Sequence, residues 1–238
     1  MDTLGIVFTG GEGPEPEAIG RLFDSLEAGA ITAAADSGLC LAEAAGLKPD
    51  WIIGDMDSLE AIAGRDRLSK YPAQRVFFHN AEKDYTDTEL ALSLLWEKSC
   101  DEVWIIGGGG GRTDHIFGIR DLFERERFPR RWITAAEDIF CLEGGTDAAG
   151  GVCSGAAADD SLTKSVEAGG LVSVFPLGEG PWKAESRGLK WPLENVHWER
   201  GRYGLSNAAL AASVTVSAKQ GRFLVIFPNQ GKEELCRR

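Results

Sequence analysis

Carboxylates and glycines that follow short apolar runs are the residues of this 238-residue chain best suited to chemistry. Asp55 and Asp57 stand two apart in Gly54-Asp55-Met56-Asp57-Ser58, directly after Trp51-Ile52-Ile53. In extended backbone, residues two apart point the same way. Two carboxylates so placed repel unless a cation lies between them or one is protonated. Magnesium suits the pair, since it takes one or two carboxylates together with phosphate oxygens and waters. Asp36, in Ala35-Asp36-Ser37-Gly38, and Asp84, in Lys83-Asp84-Tyr85-Thr86-Asp87, stand at the ends of neighbouring runs and favour a metal site over an acidic surface turn. Asp87 has a second reading: just inside a helix start, it complements the helix dipole.

The glycines 107–111, followed by Arg112-Thr113-Asp114-His115, form the phosphate candidate. Consecutive glycines let the backbone approach an anion and aim N–H groups at it. A helix N-terminus adds positive partial charge, and the Arg112 fork matches phosphate oxygens. No Gly-Lys-Ser/Thr follows, so this is not a Walker A loop. Gly10-Gly11-Glu12-Gly13-Pro14 lacks the third glycine of a dinucleotide fingerprint and reads first as a structural turn. His115 reads as a structural helix-start residue before it reads as a base; Asp114 is the better polar candidate.

These residues need elements to position them. Strands are expected over 4–9, 30–35, 51–53, 75–78, 103–106 and 132–135, and helices over about 15–27, 39–45, 86–98 and from the glycine run to about 127. Thr86 and Glu89 have capping-box spacing. This alternation implies an α/β domain with a mostly parallel sheet, whose carboxyl edge gathers all four segments. Beyond about residue 137 the pattern changes to short β-like runs punctuated by Gly and Pro, at 139–142, 171–175, 196–198, 213–217 and 223–227. An all-β sandwich or barrel is expected there, so the domains are read as 1–137 and 138–238. The small-residue stretch 144–158 reads as a loop.

Lys plus Arg number 25 and Asp plus Glu 37, a net charge of −12, which argues against nonspecific binding to nucleic acid or an anionic membrane. No apolar run approaches the ~20 residues of a membrane span. The first residues, with an early acid and no basic region, do not read as a signal peptide. The five cysteines form no CxxC pair, and reduced cytoplasmic thiols are the expectation.

Taken in order, the segments resemble the thiamine pyrophosphokinase family. The likeness rests on Asp36-Ser37-Gly38, Gly54-Asp55-Met56-Asp57-Ser58, Lys83-Asp84-Tyr85-Thr86-Asp87, and the glycine run with Arg112-Thr113-Asp114-His115. It continues in Val172-Ser173-Val174-Phe175-Pro176-Leu177-Gly178, Gly188-Leu189-Lys190-Trp191-Pro192-Leu193 and Leu205-Ser206-Asn207. The resemblance implies pyrophosphoryl transfer from ATP to the hydroxyl of thiamine, giving thiamine diphosphate and AMP. It implies a homodimer with active sites at the subunit interface. By position it makes Asp55, Asp57 and Asp84 magnesium ligands. Asp36, Arg112, Asp114 and the glycines, Gly108, Gly109, Gly110 and Gly111 among them, become phosphate and substrate contacts, with Ser37, Thr86 and Asp87 beside them. Ser206 and Asn207 become part of the thiamine pocket. Ala208 stands where the family often has an acid.

Phosphoryl transfer depends on positioning and charge neutralisation. Arg112 and the loop amides would hold developing charge, and Asp84 or Asp114 would accept the alcohol proton. Trp191 and Trp198 are aromatic candidates for a cationic ring, each with a core role as the competing reading. Two other classes compete: a metal-dependent nucleotide hydrolase or kinase for another small alcohol, and a non-enzymatic sensor, which would be expected to lose a metal carboxylate.

Overall fold

The computed structural model describes residues 2–57, 65–79, 85–145 and 160–229. The chain divides into two compact units, Met1–Ala136 and Glu137–Arg238.

In the first unit, β1 (Leu4–Thr9), β2 (Ile31–Ala35), β3 (Trp51–Gly54), β4 (Val76–Phe78), β5 (Glu102–Gly107) and β6 (Arg131–Ile133) pair in the order β6-β5-β1-β2-β3-β4. Every one of these pairings is parallel. The central strands are continuous apolar runs because both faces are covered. On one face Ile6 and Phe8 of β1 pack with Ile19 of α1 (Pro16–Asp24) and with Leu39 and Ala42 of α2 (Gly38–Ala44). On the other, Gly5 is approached by Leu95 of α3 (Asp87–Glu97) and by Cys100; a Cβ at Gly5 would lie 3.1 Å from the leucine and 3.0 Å from the sulfur. The helix after the glycine run, α4 (Thr113–Leu122), ends five residues before the expected 127. Its next residue, Phe123, is buried against Trp132, and the chain then turns.

The second unit is antiparallel. It contains β7 (Glu137–Gly144), β8 (Asp160–Ser165), β9 (Leu171–Leu177), β10 (Lys183–Arg187), β11 (Gly204–Ala208) and β12 (Ser213–Pro228). The two runs expected at 213–217 and 223–227 are one 16-residue strand. Its first part pairs with β8 and β10, and its second with β7 and β9. The change falls at Gly221, whose φ is 78°, a conformation open to glycine. A strand that bends at such a point can turn the corner between two sheets without ending. Val214, Val216 and Ala218 before the bend, and Phe223, Val225 and Phe227 after it, enter the same core.

The expected strand at 196–198 is absent; a 3-10 turn, Leu193–Asn195, precedes extended residues that pair with nothing regular. Its apolar character has another cause: Trp198 packs edge-on against Phe223, ring centroids 5.1 Å apart. β8 and β10 (DSLTKS, KAESR) were invisible in sequence because they carry so few apolar residues.

α3 is fixed at its start by a complete capping box. The Thr86 hydroxyl accepts from the Glu89 N–H at 3.3 Å, and the Thr86 N–H donates to the Glu89 carboxylate at 2.6 Å. Arg125 also bonds that carboxylate. Burial pushes Glu89 up, but the bonds from Thr86 and Arg125 outweigh it and leave its carboxyl below the ordinary value. Thr86→Ala is expected to cost about 1 kcal/mol in urea unfolding, with Thr86→Ser near wild type. The Glu89 contribution is present in full above its unfolded value near 4.5 and disappears as pH falls through the lowered folded value. A Glu89→Gln variant should therefore show a shallower acid loss of stability below pH 4.5.

Candidate active site

Strand order places the site. From β1 the chain proceeds outward through β2, β3 and β4, then returns to β5 on the other flank of β1. The crevice beyond the carboxyl ends of β1 and β5 is the topological switch point of this sheet, where ligands bind in open α/β folds. Thr9 and Gly107, the last residues of the two strands, are register partners.

The loops that follow stay together. The Glu12 N–H donates to the Gly109 carbonyl at 2.6 Å, and the Gly109 N–H returns to the Glu12 carbonyl at 3.0 Å. The Gly108 N–H donates to the Gly10 carbonyl at 3.1 Å. From beneath, the buried Trp132 indole N–H donates to the Gly107 carbonyl at 2.7 Å. Gly108 has a φ of 73°, and a Cβ there would lie 2.3 Å from Ile119 Cδ1. The run is thus a braced turn whose glycines are demanded by close approach.

The carboxylates come from three neighbouring ends. Asp36 follows β2 with a φ of 46°, a left-handed conformation that aspartate tolerates better than most residues. Its N–H donates to the Ile53 carbonyl at 2.8 Å, which ties the turn to β3. Asp55 follows β3, and Asp87 opens α3. A Cβ on Gly54 would lie 3.2 Å from Asp36 Cβ and 3.3 Å from Asp87 Cγ, so glycine makes room for the convergence. One oxygen from each of Asp36, Asp55 and Asp87 lies within 4.8 Å of the others, at intermediate burial. Three carboxylates that close repel one another. An all-oxygen donor set of this charge fits a hard divalent cation such as magnesium.

Sequence-expected residues fall in four groups. Asp36, Ser37, Asp55, Thr86, Asp87, Gly108, Gly109, Gly110, Gly111, Arg112 and Asp114 line one cleft of about 750 Å³. Asp57 is exposed and lies outside the three-carboxylate group; its N–H donates to Asp55 Oδ1 at 3.1 Å, bracing Asp55 from behind. Asp84 lies outside the described residues. Ser206 and Asn207 belong to the second unit.

Arg112 and Asp114 meet each other in this cleft. Arg112 Nη2 lies 2.5 Å from Asp114 Oδ2, and its Nε donates to Oδ1 at 3.2 Å. The hydrogen bonds from Arg112 hold the Asp114 carboxyl below its usual range, and those to Asp114 raise the guanidinium. Asp114 in this state is a poor proton acceptor and a good orienter of the arginine fork.

Sequence reasoning undervalued the first glycine turn: Gly10, Gly11 and Glu12 line the cleft, as do Thr9, Tyr85, Thr88 and His115. The signal was Gly10-Gly11 directly after a buried strand, read there as a structural turn. Thr9 and Thr88 carried no signal, since a threonine at a strand end or in a first helical turn is ordinary.

In the second unit the buried Asn207 side chain is committed to backbone. Its Oδ1 accepts from the Trp191 N–H at 3.0 Å, and its Nδ2 donates to the Trp191 carbonyl at 2.6 Å. This holds the turn that carries Trp191, whose ring is half-exposed. Ser206 has a φ of 54°, and its N–H donates to Ser173 Oγ at 3.0 Å.

The chain is similar to known proteins in sequence and in fold. Residues 23–131 match the thiamin pyrophosphokinase catalytic domain, and residues 161–223 match the thiamin pyrophosphokinase vitamin B1 binding domain. The thiamine pyrophosphokinase of Bacillus subtilis is 28% identical over 230 residues, covering 95% of this chain and 98% of that one. The crystal structure of thiamin pyrophosphokinase from Geobacillus thermodenitrificans superposes with a TM-score of 0.68 at 26% identity, covering 97% of this chain and 99% of that one. The solved structure of thiamin pyrophosphokinase from Candida albicans gives 0.64 at 18%, covering 96% of this chain and 90% of that one, a likeness of fold. The chain belongs to the thiamin pyrophosphokinase family.

Loss of one of the three converging carboxylates should weaken binding of an added divalent cation more than loss of an outer one. Asp87→Asn is expected to weaken Mn²⁺ binding by about tenfold or more, and Asp57→Asn by less. Titration followed by electron paramagnetic resonance measures both.

Proposed function

We propose that this chain is a thiamine pyrophosphokinase that transfers pyrophosphate from ATP to the hydroxyl of thiamine, releasing AMP. The observation that carries the reading is the convergence, in one cleft, of three carboxylates with a braced glycine turn and Arg112.

The residues divide the work. Loop N–H groups and Arg112 hold the β- and γ-phosphates, where preorganised donors act without reorganisation. Asp36, Asp55 and Asp87 hold magnesium, with Asp57 as an outer brace and Asp84 kept from the sequence reading as a further ligand. When bound, magnesium neutralises charge on the phosphate oxygens. Asp114 aims Arg112. Because a loose transition state leaves little covalent work, proton removal from the alcohol needs only a weak base; Asp84 is the preferred acceptor, since Asp114 is held by the arginine.

The first unit is read as the catalytic α/β domain and the second as a β-sandwich thiamine domain. Ser206 and Asn207 serve the acceptor pocket, Asn207 by positioning Trp191. A homodimer with active sites at the subunit interface belongs to the same proposal, as does a cytoplasmic location. The acidic balance supports small-molecule partners over nucleic acid. No helix among the described residues is long and apolar enough to cross a membrane.

Incubation with ATP, magnesium and thiamine should yield AMP and thiamine diphosphate one-to-one by chromatography. ADP with thiamine monophosphate, or AMP released equally fast without thiamine, would sink the reading in favour of a kinase for another alcohol or a hydrolase. Arg112→Gln should lower kcat by about 10²–10³-fold, as loss of a transition-state donor does. Asp114→Asn should cost clearly less, because the fork remains and only its aim is lost. A larger loss in Asp114→Asn would instead make Asp114 the base.

A further inference from the structure

Thr9 ends β1 and Thr88 is the second residue of α3. Their hydroxyl oxygens lie 2.7 Å apart. Both residues are more than nine-tenths buried, at 6% and 9% exposure, yet both line the cleft. Thr9 precedes Gly10 of the paired glycine turns, and Thr88 follows Asp87 of the carboxylate group. The pair therefore sits at the seam between the phosphate-type donors and the metal-type acceptors.

Proton counting gives the pair a capacity beyond its internal bond. Two threonine hydroxyls carry two protons, and each oxygen also accepts. The bond between them uses one proton. Among the described residues neither hydroxyl makes a second hydrogen bond. One donor is left over, at a nearly buried position on the cleft wall, where an unmet donor is costly.

We propose that the Thr9–Thr88 hydroxyl pair donates a hydrogen bond to a phosphoryl oxygen of the bound polyphosphate. The ligand class rests on the function proposed above. The pair is self-adjusting: either hydroxyl can serve as donor while the other accepts, so the available proton can follow the oxygen it meets.

Valine has the shape of threonine without the hydroxyl, so Thr9→Val, Thr88→Val and the double variant test the proposal in the full chain. The readouts are the affinity for inorganic pyrophosphate with magnesium, by calorimetry, and the melting temperature. An internal brace and a ligand donor predict opposite patterns. If the pair only braces the fold, each single variant strands one buried hydroxyl and lowers the melting temperature. The double variant then recovers most of that loss, and pyrophosphate affinity stays within about twofold throughout. If the pair donates, each single variant keeps one proton for the ligand and loses only a few-fold in affinity. The double variant loses about tenfold or more, the size of a hydrogen bond to a charged acceptor. Thr9→Ser with Thr88→Ser keeps both hydroxyls and should keep the affinity. Should the double valine variant not fold, Thr9→Ala with Thr88→Ala carries the same test without added bulk. Wild-type pyrophosphate affinity in the double variant overturns the proposal, as does an absence of pyrophosphate binding by the wild type. Failure of the wild type to form AMP and thiamine diphosphate strikes the function reading alone and leaves the pyrophosphate comparison intact.

Discussion

Parallel pairing of β1 with β5 sets Thr9 opposite Gly107, and two glycine-rich turns must then leave the sheet side by side. Each turn alone would be a short exposed segment with unmet backbone groups. Side by side they satisfy one another through Glu12 and Gly109 and through Gly108 and Gly10. The Trp132 indole, reaching up from β6, completes the support. An anion site made of backbone donors needs such bracing, because its strength lies in being organised before the ligand arrives.

The same sheet edge concentrates negative charge. Asp36, Asp55 and Asp87 belong to three different connections, and only neighbouring strand ends bring them within 4.8 Å. Their mutual repulsion opposes folding, and the capping box on α3 is one local interaction that offsets it. Fold and site are therefore in tension at this edge, and a ligand that bound only the folded arrangement would add stability by mass action.

Much of the first unit could be read from sequence, because a buried parallel strand announces itself as an apolar run and its loop begins where the run stops. Asp36, Asp55 and the glycine run were found in that way. The exact company of Asp55 was not. Spacing favoured Asp57, but the chain turns at Met56, with a φ of 65°, and extended alternation no longer applies. Asp87 had an equally good account as a dipole partner, and only tertiary placement added it to the carboxylate group. In the second unit the difficulty was different. β8 is half-exposed and nearly devoid of apolar residues, so its pairing with β12 leaves no trace in hydropathy. Gly221 looked like a turn because a bend within a strand and a turn between strands use the same residue.

The long β12 strand has a consequence for how the second unit comes apart. Because its two parts pair with different neighbours and feed one core, neither set of partners can be stripped away while the other keeps an undisturbed central strand. The backbone is a shared keel. Local opening, which in many proteins is confined to one hairpin or edge, is here transmitted along a covalent chain across the bend at Gly221. The unit is thus built to loosen as a whole, and the turn held by Asn207 shares the fate of strands far from it in sequence.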